Sequence, residues 1–171
     1  MIAPNRYLNA KLSKDIKLNL KQSWYLYGNP GTGKTYFIWA FRIERYKRLS
    51  KKSEDNHNMI FEKLFAKNWA IFCSELRYSS FESRESIVKE LKEVDMLIID
   101  DIGSEVKTDF SDDILFQILN ERYEWGKYTA FTSNHSIPEL EYDGRIISRI
   151  AGIVGDNKFE IAGKDRRIIS K

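Results

Sequence analysis

The chain has 171 residues, of which 42% are hydrophobic and 31% are charged. This composition is typical of one globular domain and excludes a collagen-like or disordered chain. No apolar run reaches the roughly 18–20 residues of a membrane span, and the N-terminal residues lack the apolar core of a signal peptide. We therefore expect a cytoplasmic protein with no membrane partner. Cys73 is the only cysteine, which excludes an internal disulfide and a cysteine-cluster zinc site.

Charge is distributed unevenly along the chain. Residues 1–60 contain twelve lysines and arginines against four acidic residues, whereas residues 75–125 contain six against fourteen. Such a separation indicates a basic surface for polyanions and an acidic region for cations or a neighbouring subunit. Two solvated faces without a partner are the alternative, so charge alone assigns no function.

Hydrophobic periodicity predicts strands and helices that alternate along the chain. Strands are expected at Ser23–Tyr27, Trp69–Cys73, Met96–Ile99, Tyr128–Thr132 and Lys158–Ala162. Helices are expected at Lys34–Leu49, Glu85–Val94, Asp109–Trp125 and Arg145–Ile150. The polar stretch Lys51–Asn58 is typical of a surface loop. This alternation predicts an α/β fold with a mostly parallel five-stranded sheet flanked by helices.

The residues after the first predicted strand match the phosphate-loop pattern G-x-x-x-x-G-K-[ST] in full. They are Gly28, Asn29, Pro30, Gly31, Thr32, Gly33, Lys34 and Thr35. In this pattern the backbone N–H groups surround the phosphates, and the following helix adds the positive end of its dipole. Lys34 reaches the β- and γ-phosphates, and the Thr35 hydroxyl is a ligand for Mg²⁺. The pattern and its strand–helix context therefore predict a P-loop NTPase that binds ATP with Mg²⁺.

Two carboxylates, Asp100 and Asp101, follow the predicted strand Met96–Ile99. In an open α/β sheet, ligands bind at the carboxyl ends of the strands. Asp100 is therefore predicted to hold Mg²⁺, and Asp101 to orient or deprotonate the attacking water. An ordinary strand that ends in a polar turn is the alternative, but the phosphate loop favours the functional interpretation.

Four further stretches identify a family. They are Pro4–Ala10, Ile99–Glu105, Asn120–Asn134 and Asp143–Ile150. In order and spacing they resemble the AAA+ domain of bacterial and phage helicase loaders of the DnaC/DnaI type, and the transposition ATPase IstB is a near relative. The resemblance implies an ATPase that loads a replicative helicase, binds single-stranded DNA, and forms a homo-oligomer through interfaces bridged by nucleotide.

The same resemblance implies roles for residues in the second half of the chain. Asn134 matches the sensor I position, which contacts the γ-phosphate or the attacking water. Arg149 matches the arginine finger, a cation that reaches the nucleotide of the adjacent subunit and stabilises the charge developing on phosphoryl transfer. Arg145 lies one helical turn earlier on the same predicted face. The alternative is a turn or helix-capping residue for Asn134 and a surface salt bridge for Arg145.

Both terminal segments are implied to flank the nucleotide. In similar proteins the N-terminal segment borders the adenine, which makes Tyr7 and Arg6 candidates. Arg167 is a candidate nucleotide-sensing or interface arginine, with a surface salt bridge as the alternative. We accordingly divide the chain into a segment at residues 1–22 that flanks the nucleotide site and an AAA+ ATPase domain at residues 23–171.

Family members bind single-stranded DNA in a groove that forms when subunits stack helically. The basic and aromatic residues available for such a groove follow the second predicted strand: Arg77, Tyr78, Phe81 and Arg84. Aromatic stacking with flanking cations suits binding of one strand without base preference. Partly buried aromatics beside solvated charges are the alternative.

The chain departs from the family pattern in two ways. Many AAA+ enzymes have Asp-Glu where this chain has Asp100-Asp101, and the shorter side chain predicts slow hydrolysis. The loaders usually carry an N-terminal domain that grips the helicase, whereas about twenty residues precede the first predicted strand here. A helicase partner is therefore expected by resemblance only. There are two alternatives to the helicase-loader function: a transposition ATPase of the IstB kind, and a nucleotide-dependent switch with little turnover.

Overall fold

Five parallel strands form one sheet in the computed structural model, which describes residues 4–50, 64–163 and 165. The strands are β1 (Trp24–Tyr27), β2 (Leu64–Asn68), β3 (Met96–Ile102), β4 (Tyr128–Ser133) and β5 (Lys158–Glu160). Their order across the sheet is β2-β3-β4-β1-β5. The carboxyl ends of β3, β4 and β1 are therefore neighbours, which confirms the predicted parallel α/β sheet and places three connecting loops together.

Helices cover both faces of the sheet. They are α1 (Lys34–Ser50), α2 (Trp69–Arg77), α3 (Phe81–Glu93), α4 (Asp109–Glu124) and α5 (Gly144–Val154). One apolar cluster joins α1 to one face, and a second, larger cluster joins the other four helices to the opposite face. No helix within the described ranges has both the length and the apolar character needed to cross a membrane.

Strand β1 and the first four residues of β3 are continuously apolar because both faces of the sheet are covered there. In β1, Trp24 and Leu26 pack toward α1 with Phe37, whereas the intervening Tyr25 packs into the opposite cluster. Ile98 likewise faces α1. Successive side chains along a strand point to opposite faces of the sheet, so they pack into two separate apolar clusters.

The expected second strand at Trp69–Cys73 is wrong, because these residues begin helix α2 and the strand precedes them at Leu64–Asn68. The Asn68 side chain caps the helix by accepting a hydrogen bond from the N–H of Ile71 at 3.1 Å. The buried residues of α2 are Trp69, Phe72, Cys73 and Leu76. Their spacing of three and four residues places them on one helical face, so tertiary burial overrides the β propensity of the run.

The other predicted elements are confirmed with shifted ends. Helix α3 begins four residues before the expected Glu85, because the Ser80 side chain accepts from the N–H of Ser83 and caps it there. Helix α5 continues to Val154 rather than ending at Ile150. The expected loop Lys51–Asn58 lies outside the described residues.

Arg122 is a structural residue within a stretch that resembles the family. Its guanidinium is fully buried and donates to Thr129 Oγ1 at 2.9 Å, to the carbonyls of Leu91 and Val94 at 2.8 Å each, and to the Tyr128 carbonyl at 2.7 Å. Burial lowers its pKa to about 10, so it remains charged at neutral pH. Arg122 therefore ties α4 to β4 and to the end of α3.

Candidate nucleotide-binding site

A cavity of about 490 Å³ opens at the carboxyl edge of the sheet. Its walls come from the loop after β1, the acidic pair at the end of β3, the residue after β4, and the N-terminal turn. The residues that line it are Arg6, Tyr7, Pro30, Gly31, Gly33, Lys34, Thr35, Tyr36, Asp100, Asp101 and Asn134. The fold thus brings together side chains that lie up to 128 positions apart in the chain.

Lys34, the first residue of α1, is buried with its ammonium group held beneath the phosphate loop. Its Nζ donates to the carbonyls of Gly28 at 2.6 Å and Asn29 at 3.1 Å, and to Asn134 Oδ1 at 2.7 Å. These contacts satisfy a buried charge. Gly28 and Asn29 therefore contribute to the site through their carbonyls rather than by lining the cavity.

The phosphate loop has a backbone that fits an anion. Gly31 and Gly33 adopt φ angles of 78° and 110°, a region that other residues rarely occupy. Its φ makes any other residue at Gly31 strained, and an added Cβ would also displace the Asp165 carboxyl group, whose nearest oxygen would lie 1.9 Å away. Thr32 is buried, and its hydroxyl donates to the Asn29 carbonyl at 2.9 Å. A strand, a loop rich in glycine and the start of a helix are the elements by which such loops bind phosphate.

Asp100 is the candidate metal ligand of the cavity. Burial raises the pKa of its carboxyl group, while hydrogen bonds from Thr132 and Thr35 and the charge of Lys34 lower it. The Thr132 hydroxyl donates to Asp100 Oδ1 at 2.5 Å. Because burial disfavours the ionised carboxylate, a divalent cation beside it would stabilise the charge. Phosphate-transfer sites bind Mg²⁺ through one or two carboxylates, a hydroxyl and the substrate phosphates, which the pair of Asp100 and Thr35 fits.

Asp101 has a strained backbone that the structure holds in place. Its φ of 62° is in the left-handed region, and the pairing of β3 with β4 shifts register between Ile99 and Ile102. Aspartate and asparagine enter this region more often than most residues other than glycine, but the conformation still costs about 1–3 kcal/mol. The Asp101 N–H donates to Thr132 Oγ1 at 2.9 Å, which helps to maintain it. Strain retained at a cavity wall is typical of functional residues.

Thr132 was not identified as a site residue from the sequence. Its buried hydroxyl contacts both members of the acidic pair, as a donor to Asp100 and as an acceptor from Asp101. The available signal was a hydroxyl side chain within the apolar strand β4, two positions before Asn134. Hydroxyl groups are common in strands, however, so this signal alone is weak.

Asn134 joins the lysine to the second carboxylate. Its Oδ1 accepts from Lys34, and its Nδ2 donates to Asp101 Oδ1 at 3.1 Å. The helical turn at Ile137–Glu139 begins with a capping box formed by Ser136, so Asn134 is not a capping residue there. The structure therefore places Asn134 where it can contact a bound phosphate or a water beside Asp101.

The N-terminal turn forms an aromatic wall of the cavity. Tyr7 stacks on Trp39 of α1 with ring centroids 5.9 Å apart, and its edge meets Tyr36 at 6.4 Å. Arg6 lies over the Tyr7 ring at 6.0 Å. The structure thus places the two candidates for adenine contact, Tyr7 and Arg6, at the cavity.

The three candidate arginines named from the resemblance, Arg145, Arg149 and Arg167, differ in their surroundings. Arg149 does not line the cavity; its Nε donates to Asn120 Oδ1 at 2.8 Å, and its guanidinium lies 5.0 Å from the centroid of the Tyr123 ring. Arg145 is exposed and pairs with Asp143 at 3.1 Å. Arg167 lies outside the described residues. Arg149 is therefore held by side chains of its own chain outside the described cavity.

A known family matches most of the chain. The family model described as bacterial DnaA ATPase domain matches residues 9–155. The chain is 30% identical over 155 residues to the chromosomal replication initiator protein DnaA of Borreliella burgdorferi, a match that covers 87% of this chain. It is 30% identical over 134 residues to that of Zymomonas mobilis, covering 77% of this chain. The chain spans 30% and 26% of these relatives' own lengths.

Solved structures with the same fold include DnaI, a putative primosome component and the replication initiator DnaA. DnaI superposes with a TM-score of 0.71 at 24% identity, covering 95% of this chain and 96% of DnaI. A putative primosome component from Streptococcus pyogenes gives 0.62 at 27% identity, covering 88% and 74%. The replication initiator DnaA bound to AMPPCP and single-stranded DNA gives 0.59 at 22% identity, covering 86% and 43%. The predicted AAA+ type of P-loop fold is confirmed.

Proposed function

This chain belongs to the family of bacterial DnaA ATPase domains, and we propose that it binds ATP with Mg²⁺ in the described cavity and hydrolyses it slowly. The observation that supports this proposal is the convergence of Lys34, Asp100, Asp101 and Asn134 on one cavity. We assign residues 23–171 to the ATPase domain and residues 1–22 to a segment that flanks the nucleotide.

In this proposal each polar residue of the cavity has a separate task. Lys34 and the loop N–H groups bind the β- and γ-phosphates, and Asp100 with Thr35 would hold the metal. Mg²⁺ bound there would neutralise charge on the phosphate oxygens. Asp101 accepts a hydrogen bond from Asn134, and the two would orient the attacking water. A carboxylate on so short a side chain, and already hydrogen-bonded, supports slow turnover.

Substitution of the two carboxylates tests this division of tasks. Asp101→Asn should keep ATP and Mg²⁺ bound but lower turnover by ~10²–10⁴-fold, the usual contribution of a general base. Asparagine tolerates the left-handed backbone, so the turn should persist. Asp100→Asn should instead raise the Mg²⁺ concentration needed for binding. ATPase assays and nucleotide titrations across a range of Mg²⁺ concentrations measure both effects.

The exposed Asp156, which lies between α5 and β5, provides a matched control. Asp156→Asn should leave both turnover and Mg²⁺ dependence at wild-type values. Full activity in both Asp100→Asn and Asp101→Asn would show that the acidic pair is structural.

We further propose that the ATPase serves DNA replication as a helicase loader, assembling with copies of itself and binding single-stranded DNA. The stretches that resemble the DnaC/DnaI loaders support this role, as does the 27% identity to a structure described as a putative primosome component. Co-precipitation with the host's replicative helicase tests the partner. Stimulation of the ATPase by duplex DNA alone would favour a transposition ATPase, and nucleotide binding without turnover would favour a switch.

A surface at the junction of α2 and α3 supports binding of single-stranded DNA. Tyr78 is 85% exposed and Phe81 is 64% exposed, with Arg77 exposed beside them. Arg84 differs, because its guanidinium lies 4.7 Å from the Phe110 ring centroid and donates to the Ser79 carbonyl at 3.2 Å. We therefore retain three of the four sequence candidates for strand contact and assign Arg84 to packing.

Removal of the two exposed rings should weaken DNA binding selectively. The double variant Tyr78→Ala with Phe81→Ala should lose ~10-fold or more in affinity for a labelled oligothymidylate, because stacking contributes roughly 1–3 kcal/mol per base. Its affinity for ATP should not change. Trp125→Ala is the matched control, since Trp125 is 72% exposed at the end of α4. Fluorescence anisotropy at one fixed salt concentration measures binding; an equal loss in the Trp125 variant would contradict this assignment.

A further inference from the structure

Glu105 and Tyr142 form a buried polar pair close to the end of β3, which carries the acidic pair. Neither residue lines the nucleotide cavity. The Tyr142 hydroxyl donates to Glu105 Oε1. The N–H of Gly103 lies 3.0 Å from Glu105 Oε2 and 3.1 Å from the Tyr142 hydroxyl oxygen. Burial, and next the charge of Glu105, raise the pKa of the Tyr142 hydroxyl, so it remains a donor at neutral pH. The three residues are thus held together by hydrogen bonds that a buried carboxylate requires.

These bonds act on the turn that contains Asp101. Before the turn, the Thr132 hydroxyl accepts from the Asp101 N–H. After the turn, the bonds from the Gly103 N–H to Glu105 and Tyr142 fix the chain two residues later. Loss of either Glu105 or Tyr142 would weaken the hydrogen bonding that holds Gly103 in place. A residue in such a conformation persists only where the surrounding structure restrains it.

Tyr142 also connects this turn to the helix of Arg149. It directly precedes Asp143, whose side chain accepts from the N–H of Arg145 at 2.6 Å and caps the start of α5. The Cα atoms of neighbouring residues are only ~3.8 Å apart. A displacement at the start of α5 would therefore reach Gly103 through the Tyr142 hydroxyl.

We propose that Glu105 and Tyr142 are positioning residues that hold Asp101 in its hydrolytic orientation and link it to the helix that carries Arg149. This inference rests on the proposed function, since it takes Asp101 as the residue that acts on the attacking water. Through these two residues, a displacement of helix α5, which carries Arg149, would change the orientation of the Asp101 carboxylate.

Amide hydrogen exchange of the full chain without nucleotide tests the positioning directly. In Tyr142→Phe and in Glu105→Ala, the Gly103 amide should exchange ~10-fold faster or more than in the wild type, because each substitution removes one of its two acceptors together with the hydrogen bond that holds Tyr142 against Glu105. Glu105→Gln, which retains a carbonyl acceptor, should restore part of the protection. Tyr128→Phe removes a half-buried hydroxyl bonded to the Leu20 carbonyl at 3.3 Å and should leave Gly103 unaffected. Wild-type exchange of Gly103 in both Tyr142→Phe and Glu105→Ala would overturn the inference.

A double-mutant cycle separates positioning from general stability. Tyr142→Phe should bind ATP within about twofold of wild type yet turn over ~10–100-fold more slowly, since small misplacements of a reacting group have effects of this size. In an Asp101→Asn background the same substitution should have no further effect on turnover. An equal loss in that background would overturn the inference. Wild-type turnover in Asp101→Asn alone would contradict the proposed function instead, and the exchange measurement would still decide the positioning.

Discussion

Replacement of Lys34 by alanine is expected to abolish tight nucleotide binding while the domain still folds. The ammonium group contacts the carbonyls of Gly28 and Asn29 and the side chain of Asn134. Among the described residues that line the cavity, Lys34 is the one lysine. A charge-assisted bond to phosphate contributes roughly 1.5–3 kcal/mol. Loss of about two such bonds predicts a fall in ATP affinity of ~100-fold or more.

Titration with a fluorescent ATP analogue measures this loss, and a thermal melt checks the fold. Lys34 itself lines the cavity, so water can enter the space left by its side chain and replace the ammonium, which limits the cost to stability. Lys89→Ala is the control, because Lys89 is an exposed residue of α3 with only a surface ion pair to Glu93. Wild-type ATP affinity in the Lys34 variant would remove the basis of the nucleotide assignment.

Replacement of Arg149 by alanine should leave ATP binding intact and lower hydrolysis by ~10³-fold or more, the usual size of an arginine-finger effect. Arg149 does not line the cavity of its own chain. Its side chain instead contacts Asn120 and Tyr123. We therefore expect it to contribute nothing to nucleotide affinity within one subunit. Its expected effect on turnover requires a second subunit whose nucleotide it reaches.

Mixing experiments distinguish action between subunits from local damage. An Arg149→Ala subunit binds ATP but lacks the finger, whereas a Lys34→Ala subunit lacks ATP but keeps the finger. Their mixture should regain part of the ATPase activity, and the wild-type rate per subunit should rise with protein concentration. Arg145→Ala should remain near wild type, because Arg145 pairs with Asp143 of its own helix cap. No recovery on mixing, with a rate independent of concentration, would mean that the site works within one chain.

The wrong second strand shows where local sequence information fails. The run from Trp69 to Cys73 combines β-prone residue types with a helical spacing of apolar positions, and both patterns fit its few residues. Burial of Trp69 and Phe72 against the sheet, together with the cap from Asn68, decides for the helix. The error did not affect the site, because the phosphate loop and the acidic pair lie on other elements.

The sequence alone determined the residue types that define the chemistry: the phosphate loop ending in Lys34 and Thr35, and the acidic pair Asp100-Asp101 after an apolar run. These patterns are local, because a loop that binds phosphate uses consecutive backbone groups and a buried strand is a continuous apolar run. The alternation of such segments also predicted the parallel sheet, and the family model that matches residues 9–155 agrees with the stretches that indicated an AAA+ domain.

The tertiary structure alone decided which distant side chains meet. Thr132 contacts both carboxylates only because β3 and β4 are neighbours, and Glu105 meets Tyr142 only because the loop after β3 passes the start of α5. The packing of Arg84 on Phe110 likewise could not be predicted from the sequence. A threonine, a glutamate or an arginine has no distinctive spacing in the sequence. Its role is set by through-space hydrogen bonds and burial, which arise only when the chain is folded.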